Sequence, residues 1–138
     1  MIILIVEDEP IIAINLAIEL EAAGHTVIGP VATSLEALAL ARQHLPWLAL
    51  VDITLDGRAD GVELARTLRQ LGIPSLFLSA EPDEAHANQD AALGFIAKPY
   101  AAASVCESLG IVAEMMAGHT VPTHTGVLEV FRNSAVPH

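Results

Sequence analysis

The sequence predicts an α/β fold, a doubly wound five-stranded parallel sheet, and three observations carry that prediction. Five short, mostly apolar runs at 2–6, 26–31, 48–51, 75–78 and 95–97 have the character of strands buried on both faces. Helical patterns at 10–23, 34–44, 60–71, about 83–93 and 101–116 follow them one for one. The boundaries carry fitting residues, with Pro10 in a first turn, Thr33 or Ser34 as an N-cap followed by Glu36 or Ala37, and Gly24 and Gly72 just past helix ends. At 138 residues and 53% hydrophobic content, the chain supports one well-buried core and is too short for two ordinary domains.

The first run is cut off by Glu7, Asp8 and Glu9. With no basic flank and about six apolar residues, it is too short for a signal-peptide core or a bilayer span, which predicts a soluble cytoplasmic protein with no membrane contact. The second run ends in nothing ionisable. The third ends at Asp52 within LALVDITLDG, the fourth at Ser79 within SLFLSAE and the fifth at Lys98 within GFIAKPY. Between the last two, EPDEAHANQD is a poor helix with Pro82 near its start, so the fourth helix should be short or irregular. The pattern stops after Gly118, giving a domain at 1–118 and a tail at 119–138.

Composition narrows the function. A formal charge of −11, from 17 acids against 6 Lys and Arg, repels phosphate backbones, and no basic stripe offsets it, so direct nucleic-acid binding is not expected. Cys106 is the single cysteine and rules out an internal disulfide. Trp47 reads as packing, and His119 with His124 is too sparse a pair to predict a metal site.

Open parallel sheets bind ligands outside the carboxyl ends of their strands. Glu7, Asp8, Asp52, Ser79 and Lys98 therefore converge on one surface. Singly, an acid there is an ordinary helix cap, a serine a turn residue and a lysine before proline a solvated charge. Together and in this order they resemble the receiver domain of two-component response regulators, over residues 1 to about 117. The resemblance implies the flavodoxin-like (βα)5 fold with strand order 2-1-3-4-5. It implies Asp52 as phosphoacceptor, Glu7 and Asp8 with Asp52 and the Thr54 carbonyl as ligands of Mg2+, Ser79 as the hydroxyl that senses the phosphoryl group, Lys98 as its counter-charge and Phe95 as the aromatic switch. It also implies a cis Lys98-Pro99 bond and a histidine kinase or histidine phosphotransfer protein as partner. The implied protein is a signalling protein, not an enzyme beyond Mg2+-dependent self-phosphorylation and self-dephosphorylation.

The chemistry agrees with that resemblance. A carboxylate that accepts a phosphoryl group must above all neutralise and position charge on three equatorial oxygens. A hard divalent cation held by one or two carboxylates and a carbonyl does this, and it explains why Glu7 and Asp8 are crowded despite their repulsion. Two departures stand out. The loop DITLDGRADG lacks the proline often found after the acceptor and is about one residue longer, and the spacing from Ser79 to Lys98 is shorter by roughly one helical turn.

Two other functions compete. A haloacid-dehalogenase-like phosphohydrolase would need an acid two residues after Asp52, where Thr54 stands, and a phosphorylation-independent interaction module would keep only a residual site. No DNA-binding output domain is expected, because some twenty residues follow Gly118. In that tail, GVLEVFR is too apolar to leave in water. The tail is expected to dock as an arm, across a homodimer in preference to its own chain.

Overall fold

The computed structural model describes residues 1–55, 57–58 and 60–131. Asp56 and Ala59 of the loop after Asp52, and residues 132–138 of the predicted arm, lie outside the described residues. The element order is β1 (Ile2–Val6), α1 (Pro10–Ala22), β2 (Thr26–Val31), α2 (Ser34–His44), β3 (Leu48–Asp52), α3 (Asp60–Gln70), β4 (Ser75–Ser79), α4 (Pro82–Ala87), β5 (Gly94–Ala97), α5 (Ala102–Met116), β6 (His124–Thr125) and β7 (Leu128–Val130). The first five strands form the predicted parallel sheet in the order 2-1-3-4-5, and β7 then β6 extend it antiparallel beyond β5.

Alternation along the strands builds two layers. Ile3 and Ile5, Leu48 and Leu50, and Leu76 and Leu78 face α1 and α5, where Leu16, Leu20, Val105, Leu109 and Val112 meet them. Leu4, Val6, Ala49 and Val51 face Ala37 and Ala41 of α2 and Leu64 and Leu68 of α3. Val62, Ala65, Phe77, Ala85 and Phe95 complete that second layer under α3 and α4. Helix starts follow the local chemistry. Thr33 caps α2, its hydroxyl accepting from Glu36 N–H at 3.2 Å, and Pro82 opens α4. Helix α4 is shorter than the pattern at 83–93 suggested. Asn88 turns its amide back to Glu84 O at 2.9 Å, and Arg66 binds Asn88 and Asp90, so 88–93 runs as irregular chain tied to α3.

As far as residue 131, the arm folds onto its own chain. Sequence reasoning favoured a second copy, but residues 128–130 pair with this chain's β5, with Gly94 opposite Val130 and Ile96 opposite Leu128. The short link from α5 places β7 beside the β5 edge, which would otherwise expose unpaired N–H and C=O groups. Leu128 and Val130 join the α1/α5 layer and Phe131 joins the α3/α4 layer. Gly94 makes the approach possible, because a Cβ there would stand 2.1 Å from Glu129 O.

Candidate functional site

Four strands of the parallel sheet, β1, β3, β4 and β5, each deliver part of the site at the carboxyl end. Glu7 and Asp8 follow β1, Asp52 ends β3, Ser79 ends β4 and Lys98 follows β5. Together with Glu9, Ile53, Thr54, Ala80 and Glu81, most of these groups line a cleft of about 360 Å3; Glu7 lies beneath it. The five residues named from the sequence are thus brought together. Phe95 is not in the cleft. It is buried on the α4 side of β5, its ring 5.6 Å from His86 and 5.9 Å from Phe131.

Asp52 sits at the centre, 6% exposed. Its Oδ1 accepts from Thr54 N–H at 3.1 Å and its Oδ2 accepts from Lys98 Nζ at 2.9 Å. Lys98 Nζ also lies 3.0 Å from Glu7 Oε2, so one ammonium spans two buried carboxylates. Glu7 Oε1 accepts from Glu9 N–H at 3.2 Å. Its Oε2, although within reach of Lys98, has no well-aligned hydrogen bond. Ser79 hydroxyl donates to Glu81 O at 3.1 Å and accepts from Glu81 N–H at 2.9 Å. The Lys98-Pro99 peptide is cis.

The electrostatics follow from burial. Burial first, then the hydrogen bond and charge of Asp52, pushes the Glu7 carboxyl up to about 7, against the opposing pull of Lys98. Burial by itself would lower the Lys98 pKa, but the hydrogen bond to Asp52 and the adjacent Glu7 carboxylate more than offset it and raise it above the ordinary lysine value. A linkage prediction results. Between 4.5 and about 7, folded Glu7 holds a proton that the unfolded chain has released, so without metal the stability contributed here is present at low pH and lost as pH rises through that window. Urea midpoints in chelator should therefore fall from pH 5 to pH 7.5, and Glu7→Gln should flatten that slope. An unchanged slope in the variant would place its source elsewhere.

The donor set fits a hard divalent cation. Glu7, Asp8 and Asp52 each offer an oxygen within 4.8 Å of the others, and the poorly satisfied Glu7 Oε2 adds a buried acceptor.

Three positions that the sequence did not single out shape the site. Gly61 lies where α3 crosses the end of β3, and a Cβ there would stand 2.0 Å from Asp52 O and 2.8 Å from Ile53 O. Nothing in the local sequence marks this close approach. Tyr100, next to the Lys-Pro pair, lines an apolar groove beside the cleft with Ile12, Ala80 and Pro99. Its hydroxyl is buried, and burial foremost raises its pKa to about 12. Glu81 holds Ser79 through its backbone.

Comparisons with known proteins agree with this arrangement. Residues 3–110 match the family model of the response regulator receiver domain. The phyllosphere-induced regulator PhyR of Methylorubrum extorquens is 37% identical over 106 residues, 75% of this chain and 40% of that protein. The transcriptional regulatory protein PdtaR of Mycobacterium tuberculosis is 32% identical over 71% of this chain and 49% of its own length. The chain thus spans about half or less of these two relatives. Among solved structures, the signal receiver domain of a modulated diguanylate cyclase from Desulfovibrio desulfuricans superposes with a TM-score of 0.72 at 34% identity, covering 83% of this chain and 94% of that one. A CheY-like response regulator receiver domain protein from Methanospirillum hungatei gives 0.74 at 28% identity, with the same coverage of 83% and 94%. No helix among the described residues is long and apolar enough to cross a membrane.

Proposed function

The chain belongs to the response regulator receiver family, and on that footing we propose that it is a phosphoacceptor switch in which Asp52 takes a phosphoryl group and the protein's contacts change in response. The observation that carries this reading is the Asp52 carboxylate at the end of the middle strand, oriented by Thr54 N–H and Lys98 and open to a cleft that also holds Ser79. In transfer from a phosphohistidine, an Asp52 oxygen forms the new O–P bond as the N–P bond breaks and the electron pair returns to the imidazole. Lys98 provides a fixed positive charge beside the acceptor, and Ser79 can donate to an oxygen of the transferred group. The cleft places these groups in advance, so little reorganisation is needed when charge develops.

Glu7, Asp8 and Asp52, with the Thr54 carbonyl, are the residues proposed to hold Mg2+. When bound, the ion would supply positive charge against the carboxylates and the phosphoryl oxygens. Millimolar Mg2+ is then expected to raise the melting temperature by mass action, and Asp8→Asn should remove most of that increment. Equal melting temperatures with and without Mg2+ would count against a cation site here.

The proposed donor is a histidine kinase or a histidine phosphotransfer protein, met in the cytoplasm. Support comes from α1, which starts at the cleft and carries Ile11, Ile14 and Ile18 at 76%, 53% and 60% exposure, an apolar stripe suited to a partner helix. A hydrolase of the haloacid dehalogenase type is disfavoured because Thr54 stands where its second acid would be. Incubation with acetyl phosphate and Mg2+ tests the proposal by intact mass. One added phosphoryl group is expected, and none under saturating donor would contradict it.

A further inference from the structure

The cleft and the C-terminal hairpin share β5. The ladder between β5 and β7 continues until Ala97 N–H donates to Val127 O at 2.9 Å, and the next residue, Lys98, carries the ion pairs with Asp52 and Glu7. The hairpin also holds α4. The Glu129 carboxylate, 13% exposed, lies 2.7 Å from His86 Nε2 on α4 and 2.6 Å from His124 Nε2 on β6. Phe131 packs 5.7 Å from the His86 ring and 5.9 Å from Phe95. In turn, α4 is tied to the cleft through Glu81, whose backbone N–H and C=O both bond the Ser79 hydroxyl.

The hairpin therefore grips two elements, β5 and α4, each of which is also bonded at the cleft, β5 through Lys98 and α4 through Ser79. We propose that the β6–β7 hairpin is an intramolecular latch that phosphorylation of Asp52 releases, uncovering the β5 edge and the Phe95 face for other contacts; this rests on the phosphoacceptor reading of Asp52. A hydroxyl has one proton to donate. If Ser79 donates it to a phosphoryl oxygen, its bond to Glu81 O ends and α4 loses part of its tie to β4. Packed interfaces have discrete arrangements and do not deform smoothly, so a hairpin matched to the present α4–β5 separation loses one of its two grips when that separation changes. Coupling is reciprocal, and the docked hairpin must oppose phosphorylation to the same degree that phosphorylation opposes docking.

Two docking bonds report on the latch: Ala97 N–H to Val127 O and Phe131 N–H to Leu93 O, both 2.9 Å. Hydrogen exchange of the full chain in Mg2+, with and without acetyl phosphate and with occupancy followed by intact mass, should show these two amides exchanging at least about fivefold faster in the phosphorylated form, the lower end of ordinary coupling between sites. Amides within β3 should not change. Gly94→Ala, whose methyl group would meet Glu129 O, should free the hairpin without touching the cleft and raise labelling at limiting acetyl phosphate above that of the parent. A chain that is labelled while both docking amides keep their protection overturns the latch and leaves the phosphoacceptor reading intact. A chain that takes no label overturns both.

Discussion

Asp52→Asn is expected to abolish phosphoryl labelling while leaving the fold in place. An amide is not a nucleophile toward phosphorus in the way a carboxylate is, and no other acid in the cleft is placed like Asp52, between Thr54 N–H and the Lys98 ammonium. The amide oxygen can still accept from Thr54, so the β3 end keeps its geometry. The loss should be complete at saturating acetyl phosphate, whereas a role confined to positioning would leave slow labelling. Circular dichroism and a melting temperature within a few degrees of the parent would show that the variant is folded. Labelling that survives in Asp52→Asn would move the acceptor to another residue.

Gly61→Ala is expected to produce the largest stability loss of any single methyl addition at a described glycine on the receiver sheet's first three strands and their helices. The added Cβ would stand 2.0 Å from Asp52 O and 2.8 Å from Ile53 Cα, both backbone atoms that cannot rotate away. Either α3 lifts from the sheet or the end of β3 shifts, and both displace the acceptor. Overpacking against side chains costs about 1–3 kcal/mol, so a clash with backbone should cost on the order of 3 kcal/mol, with slower labelling as a second effect. Gly110→Ala in α5 is the control. Nothing lies within 4 Å of its Cβ position, and the helix should gain roughly 0.5–1 kcal/mol. Urea denaturation of the two variants measures both signs, and a neutral Gly61→Ala would mean that α3 does not press on the acceptor strand.

How far the sequence could be read depends on what each feature requires. Asp52, Ser79 and Lys98 were visible because each ends an apolar run, and in a parallel sheet that position alone points a side chain toward the common edge. The cap at Thr33 and the helix start at Pro10 were visible because they are local chemistry. Gly61 and Gly94 were not, since their importance lies in backbone that approaches from a distant part of the chain. The segment 128–130 fitted a helical face and a strand equally well, and its pairing depends on β5 presenting an edge, which no local pattern records. The fourth helix is short, as Pro82 and the poor helix formers of EPDEAHANQD led one to expect, and the pattern at 83–93 stops at Ala87 because the tie of Arg66 to Asn88 and Asp90 replaces helix with irregular chain. That one lysine spans two buried acids was not read from the sequence, where Lys98 stood only as the counter-charge of the phosphoryl group. The rise of Glu7 to about 7 depends on how completely the side chain is enclosed.

The most direct test of Asp52 as the phosphoacceptor is chemical mapping of the labelled residue. An acyl phosphate on aspartate is reduced by borohydride to the corresponding alcohol, so protein treated with acetyl phosphate and Mg2+, then reduced and digested, should yield homoserine in place of aspartate at position 52 in tandem mass spectra. The conversion should require Mg2+ and should be absent from position 8. Reduction at another aspartate, or an intact Asp52 in protein whose mass shows one phosphoryl group, would contradict the account.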